Sequence, residues 1–462
     1  MRQLILTEHF RRLPLLAAVI AFLLGGCTSY QPRPLSHNVD LVPNVDQLAL
    51  LGATDAINQA HGLSLTEVAA LAVRNNPDLK VQRKRLGVAQ EQLFAAGLLP
   101  DPQLSANLDH PTGGEPGVVN AFGLGLGYDI IPLINRRARV DGAQQTVEQT
   151  NLELMWGEWQ VSQQARSLAV RLTSQRQQLA LLTEMRDLYL ERYQRSQKAL
   201  NQGDLTLDVA GTDLTALLDS LSQINELEQT TNDTSLELNL LLGLAPEAPL
   251  TISLPPLPPL PDPRTLRREM EELPHRRPDL LALQAGYRSQ ESKVRAAVLS
   301  QFPSITIGIS RARDTGSIYT NGFNIGLNLP LFSANRGEIA IERATREQLM
   351  EEYQARLDRA TVDVDKLIRL QGIVAAQQHQ LDQYLPTLEK MVARGREAYR
   401  RGDIDALTFL NMETTWMKKR QEKISLEQTQ RENLIALQTL LALPGDGIVT
   451  RDQDDVVKGD NK

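Results

Sequence analysis

The sequence predicts a mainly α-helical, internally duplicated chain with a membrane β portion: four β-strands plus two long coiled-coil helical hairpins. Three observations predict it. The chain repeats itself at an offset near 200 residues, each repeat holds segments of period-two alternation, and each pair of such segments precedes close to 70 residues with apolar side chains recurring at sevens.

The first element is an address label. Arg2, Arg11 and Arg12 precede an apolar run from Leu13 to Leu24. That run of about 12 residues is too short to cross a ~30 Å hydrocarbon core and suits a signal peptide over residues 1–26. It ends in Leu24-Gly25-Gly26-Cys27, which resembles the lipobox of bacterial lipoproteins. The resemblance implies cleavage before Cys27 and acylation of that residue, the only cysteine in the chain. Buried methylenes at ~0.8 kcal/mol each make several acyl chains a firm anchor. Thr28 follows where an Asp tends to mean inner-membrane retention in that family, which implies an outer-membrane destination.

Residues 27–62 read as an N-terminal extended segment. Repeat 1 covers 63–245, a Pro-rich linker 246–263, repeat 2 264–444 and a C-terminal tail 445–462. An offset of 201 carries Pro77-Asp78-Leu79 onto Pro278-Asp279-Leu280, Phe122 onto Phe323 and Gly125 onto Gly326, while an offset of 199 carries Gly203-Asp204-Leu205 onto Gly402-Asp403-Ile404. The prolines between the halves exclude helix and central strand, and in a duplicated chain they read as an extended connector.

Each repeat opens with helix. Ser64 with Glu67 three residues later is a capping-box spacing, and Asn76-Pro77-Asp78 interrupts and restarts the helix that runs to Leu98. Strands are expected at about 103–109, 118–131, 304–311 and 321–331. In the best of them Phe122, Leu124, Leu126 and Tyr128 alternate with Gly123, Gly125 and Gly127. One greasy face, one small or polar face and about ten residues match a transmembrane β-strand. A soluble sandwich would also alternate, but there is no further sheet to cover the apolar faces. Four strands cannot close a barrel, and an open edge in lipid leaves backbone groups unsatisfied; three copies would supply twelve strands. The glycine run is not a dinucleotide loop, because Tyr128 stands where that fingerprint needs glycine and the spacing lies inside a strand.

Long helical hairpins are expected at 134–242 with a tip at 203 and at 333–443 with a tip at 402. Leu154, Val161, Leu168, Leu182 and Tyr189 mark one seam, with Leu172, Leu179, Tyr193 and Leu200 beside it, a period that means coiled-coil contact. Pro386 should kink its helix. At each tip a glycine followed by Asp reads as a C-cap and then an N-cap, so Asp204 and Asp403 are expected to cap the return helices.

Charge and motifs exclude other classes. Asp+Glu 56 against Lys+Arg 49 gives a net charge of -7 with no basic block, which argues against a nucleic-acid partner. A single cysteine excludes intrachain disulfides and cysteine-rich metal sites. No phosphate loop, His-Glu-x-x-His or Gly-x-Ser-x-Gly is present, and His37, His61, His110, His275 and His379 lack metal-ligand spacing, so no enzyme, cofactor or metal is expected.

The duplicated plan, the Asn76 to Leu79 segment with its Arg277-Pro278-Asp279-Leu280 echo, and the Tyr399-x-x-Gly402 tip pattern resemble the TolC-like outer-membrane efflux factor family, in its lipid-anchored branch. The resemblance covers nearly the whole mature chain. It implies a homotrimer with a twelve-stranded β-barrel in the outer membrane lipid, continued by an α-helical tunnel across the periplasm. It also implies a periplasmic adaptor docking on tips at Gly203, Asp204, Tyr399, Gly402 and Asp403, and an inner-membrane transporter that drives export. Family members often carry aspartates six and nine residues past the second tip; here those places hold Thr408 and Asn411, and Asp208 stands five past Gly203. The expected constriction therefore comprises Asp208, Asp405, Thr408 and Asn411 without the family's acidic pair, the alternative being a differently placed ring of Asp204, Asp208, Asp403 and Asp405. The competing reading is a lipid-anchored periplasmic coiled-coil tether, which explains the anchor and helices and leaves the four strands unexplained.

Overall fold

The computed structural model describes residues 30–48, 62–113 and 117–443. The signal peptide, Cys27 and the tail 445–462 lie outside the described residues. Residues 30–40 belong to a separate unit and contain no helix or strand, and the helices and sheet belong to the unit that starts at Leu41.

The observed class is the expected one, mainly α with one four-stranded sheet. Helices α1 (Leu65–Asn75) and α2 (Pro77–Gly97) lead into β1 (Gln103–Asp109) and β2 (Ala121–Asp129). Helix α3 (Ile131–Gln202) and its return α4 (Leu207–Leu242) complete the first half. Short helices α5 (Pro263–Glu271) and α6 (Leu273–Arg276) precede α7 (Pro278–Leu299), β3 (Ser304–Arg313) and β4 (Tyr319–Asn328). Helices α8 (Arg336–Arg401) and α9 (Ala406–Leu440) close the second half.

Local chemistry sets these bounds. Ser64 Oγ accepts from the Glu67 amide at 3.2 Å while the Glu67 carboxylate accepts from the Ser64 amide at 2.8 Å, the reciprocal capping box. Asn76 caps α2 through Leu79 N–H at 2.9 Å. Its counterpart Arg277 cannot accept a hydrogen bond. Asp279 takes the Leu280 N–H at 3.0 Å instead and pairs with Arg277 at 2.7 Å, both side chains buried.

Several expected ends move. The strand expected over 118–131 shortens to β2 because Val119 N–H bonds Thr315 O in the turn region, and the Asp129 carboxylate accepts from Ile131 N–H to start α3. That helix therefore begins ahead of residue 134. β3 runs on past 311 and β4 begins before 321, because Arg313 pairs with Tyr319 and Ala312 with Thr320. The second strand also stops before 331, and α8 starts after 333, because Ala334 and Asn335 take left-handed backbone angles of +43° and +54°. Helix α8 continues through Pro386 without a break.

The sheet is a meander, β1-β2-β3-β4, antiparallel throughout, although the whole first hairpin separates β2 from β3. Its register puts Leu104, Leu124, Leu126, Ile307, Ile309, Phe323 and Ile325 on one face and Ser105, Gly125, Gly127, Thr306, Ser310 and Asn324 on the other. A methyl group at Gly125 would sit 2.6 Å from Ser105 Oγ, and one at Gly123 would collide with the Asn107 carboxamide, so these glycines make room for polar neighbours on the second face.

The hydrophobic core is duplicated as the sequence is. Leu238, Leu242 and Leu244 are buried with Leu168, Leu172 and Val68 in the first half; Leu437, Leu441 and Leu443, each 199 residues on, are buried with Ile368, Val364 and Leu280 in the second. The Pro-rich stretch is strapped to these cores rather than hanging free. The Asn239 amide donates to the carbonyls of Pro246 and Ala248 at 3.0 and 3.1 Å, Arg176 to Leu250 O at 2.9 Å and Gln371 to Pro261 O at 2.8 Å. Side chains supply the donors because the linker is poor in backbone N–H groups. Asn239→Ala is expected to destabilise the first half by about 1–3 kcal/mol, the penalty for unsatisfied buried carbonyls; a thermal melt of the purified protein measures it.

Candidate functional site: two helical tips and an open sheet

Both tips have the same backbone. Gly203 and Gly402 adopt left-handed φ angles of +83° and +82°, which glycine alone takes without strain. In the first, Gly203 N–H reaches Leu200 O at 3.0 Å and Asp204 N–H reaches Ala199 O at 2.9 Å; in the second, Gly402 reaches Tyr399 O at 3.0 Å and Asp403 reaches Ala398 O at 2.9 Å. Apart from the adjoining backbone, no atom lies within 4 Å of where a side chain would start at either glycine, so both turns have open space on that side.

The aspartates after these glycines do not cap the return helices. Their amides belong to the turn, and the N-caps fall two residues later, at Thr206 and Asp405. Asp405 accepts from the Thr408 amide at 2.8 Å and the Thr408 hydroxyl at 2.7 Å, and these bonds hold its carboxyl below the ordinary carboxylate range. Asp403 pairs instead with Arg401 at 3.0 Å on the exposed surface. Asp208 is held low chiefly by the Thr206 hydroxyl.

Asp405→Ala is expected to speed amide exchange at Thr408 by about tenfold, the order of effect of a lost N-cap. The depressed Asp405 pKa places this stabilisation above the unfolded value near ~3.9, and it fades as pH falls below that through the lower folded value. Hydrogen exchange followed from neutral to acid pH should therefore show the start of α9 loosening only on the acid side.

Tip 2 carries an aromatic pair that tip 1 lacks: Tyr399 and Phe409 stack at 5.3 Å with rings 7° apart. Behind each tip lies a buried carboxylate on the return helix. Asp213, 1% exposed, meets Arg192 at 2.6 Å and also accepts from Ser196; Glu413, 2% exposed, meets Arg396 at 2.6 Å. The sequence reading did not find these pairs, although Arg192 and Asp213 stand almost equally far from Gly203 and so face each other across an antiparallel hairpin. Of the residues expected at a constriction, Asp208, Asp405, Thr408 and Asn411 are all exposed, with Asp405, Thr408 and Asn411 at three-residue steps along one side of α9.

At the other end of the chain the sheet is incomplete. β1 and β4 are edge strands, and Leu104, Leu124, Ile309, Phe323, Ile325 and Leu327 are all more than half or about half exposed on its apolar face. No helix among the described residues is long and apolar enough to cross a membrane.

Residues 270–443 match the model of the outer membrane efflux protein family. The pyoverdine export outer membrane protein OpmQ of Pseudomonas putida is 28% identical over 223 residues, 46% of this chain and 47% of the relative. The cation efflux system protein CusC of Escherichia coli is 26% identical over 175 residues, 36% of this chain and 38% of the relative. These matches thus span about half or less of the curated relatives' length. A crystal structure of CusC superposes with a TM-score of 0.67 at 19% identity, covering 91% of this chain and 100% of the other. The chain has the fold of these outer-membrane channels, and its second half is similar in sequence to the outer membrane efflux protein family. In this fold the two tips and the sheet occupy opposite ends of the long hairpins, since the sheet joins α3 and α8 at their first residues and the tips follow their last. Among the described residues no group of three or more His, Cys, Asp or Glu is arranged to hold a metal.

Proposed function

We propose that three copies of this chain form the outer-membrane channel of a tripartite efflux or export system. The conduit is passive: a twelve-stranded barrel crosses the outer membrane, and the hairpins continue it as a tunnel through the periplasm. The open four-stranded sheet carries this reading. Its apolar face has no cover among the described residues, and its unpaired edges would strand backbone groups at several kcal/mol each in lipid. Edge-to-edge pairing of copies satisfies the edges, and the hydrocarbon of the membrane covers the apolar face. Acylation of Cys27 adds an anchor in the outer membrane, and the chain's charge leaves no role for nucleic acid.

At the periplasmic end a periplasmic adaptor docks on Gly203, Asp204, Tyr399, Gly402 and Asp403, and an inner-membrane transporter supplies the energy. Tip closure and opening form a two-state equilibrium that the adaptor shifts by binding the open form better. The buried pairs Arg192–Asp213 and Arg396–Glu413 hold each hairpin's helices together, so a hairpin moves as one body. Asp208, Asp405, Thr408 and Asn411 then line the narrowest point. Thr408 and Asn411 put neutral polar groups where the family's acidic pair would stand, while Asp208 and Asp405, held ionised by their hydrogen bonds, supply the negative charge at this level. Cargo choice belongs to the transporter; the names of OpmQ and CusC, pyoverdine export and cation efflux, already differ in cargo.

The test is an unboiled denaturing gel of the full-length protein together with conductance across a planar bilayer. A trimer-sized band that collapses on heating, with stable channels, is the expected result. A monomer released from membranes by salt and without conductance would establish the periplasmic tether instead.

A further inference from the structure

The apolar face of the sheet ends in two cations. Arg311 pairs with Leu124 and Asn321, and Arg313 with Phe122 and Tyr319, so both arginines stand on the same face as Ile307 and Ile309. They lie at the end of β3 next to the Asp314–Ser317 turn, away from the helices. Arg313 donates to Asn120 O at 2.6 Å and lies over the Phe122 ring at 5.3 Å; Arg311 is exposed, and neither forms an ion pair among the described residues. The carboxylates nearby are engaged or turned away. Asp314 accepts from the amides of Gly316 and Ile318, and Asp109 alternates onto the opposite face.

A cation on a lipid-facing strand is strongly unfavourable at the bilayer midplane and nearly neutral at the interface. Arg311 and Arg313 therefore mark the outer rim of the hydrophobic band, with Tyr319 and Phe122 as the aromatic girdle beside them. Directly below, Leu104, Leu124, Leu126 and Ile309 floor a groove of about 440 Å³ that has Arg311 and Asn321 at its upper edge. Cations above an apolar groove match a molecule with an anionic head and an acyl tail.

We infer that Arg311, Arg313 and this groove form a binding site for a phosphorylated lipid of the outer leaflet, with phosphate on the guanidinium groups and an acyl chain along the groove. Guanidinium suits phosphate because it offers paired donors in one plane. The inference rests on the membrane reading above and extends it: each copy brings its own lipid site, and a trimer carries a ring of them.

The experiment reconstitutes the full-length protein in phosphatidylcholine vesicles, alone or doped with bis-phosphorylated lipid A or its dephosphorylated form. Lipid retained by the extracted protein is then counted by native mass spectrometry. The phosphorylated form should be retained over the dephosphorylated one, and Arg311→Gln should reduce that preference roughly fivefold, the effect of about one surface cation. Arg311→Lys should keep most of it. Equal retention of the two lipids, or no change in Arg311→Gln, overturns the inference, as does displacement by inorganic phosphate at concentrations comparable to the lipid, which would make this a bare anion site. Failure to insert into phosphatidylcholine alone would bring down the membrane reading, whereas insertion without phosphate preference sinks only the lipid site.

Discussion

Gly402→Pro is expected to abolish export while leaving the assembled protein intact. Proline fixes φ near −65°, and this position sits at +82°. The substitution also removes the N–H that reaches Tyr399 O at 3.0 Å. Loss of both costs about 3 kcal/mol or more locally, enough to unmake a turn that nothing else braces, since no atom lies within 4 Å of the glycine's open side. The damage stays at the tip, because the second-half core, built on Ile368, Leu437 and Leu441, lies far along the hairpin. A bulky aromatic at the same place should act differently and reach the same end, by filling the space an adaptor occupies. The check pairs a cargo-export assay with an unboiled gel. Normal export by both variants would remove the tips from the docking surface.

Ile307→Lys is expected to prevent assembly in the membrane, and Thr306→Lys, one residue away, to permit it. The two side chains point to opposite faces of β3, Ile307 beside Tyr128 and Ile325, Thr306 beside Asp129 and Gly326. A lysine on the lipid side near the middle of the band costs about 2–4 kcal/mol in each copy, whereas one on the lumen side meets water. Three coupled copies multiply the difference. Heat-modifiable trimer in the membrane fraction is the readout, and equal behaviour of the two variants would mean that the apolar face does not meet lipid.

Much of this fold can be read in the sequence where a local rule governs. Ser64 with Glu67, Pro77 at a helix start, and Gly203 and Gly402 at helix ends each announce themselves through neighbours within a few residues. The strands announce themselves wherever apolar and small residues alternate, which is why the centre of β2 is plain. Its ends are not. Val118 and Val119 continue the apolar tone yet belong to the turn, while Arg311 to Arg313 and Tyr319 to Thr320 lack that tone and are strand, because pairing across the sheet decides them. The Gly-Asp spacing points to the wrong aspartates as caps for a similar reason. A glycine turn consumes the amide of the next residue, which moves the helix start to Thr206 and Asp405. Buried Asp213 and Glu413 are invisible one residue at a time, since their arginines lie across the hairpin.

The central claim is that neighbouring copies share one sheet, the edge strand β1 of one pairing with the edge strand β4 of the next. Cysteine cross-linking tests it directly, and the native chain carries a single cysteine, Cys27. Ser105→Cys on the lumen face of β1 is combined in turn with Thr320→Cys, Gly322→Cys, Asn324→Cys and Gly326→Cys on the same face of β4. Oxidation in intact membranes should give a covalent dimer and trimer for the one or two combinations in register and little for the rest. No cross-link from any combination, with the chain running as a monomer, would contradict the shared sheet and the channel built upon it.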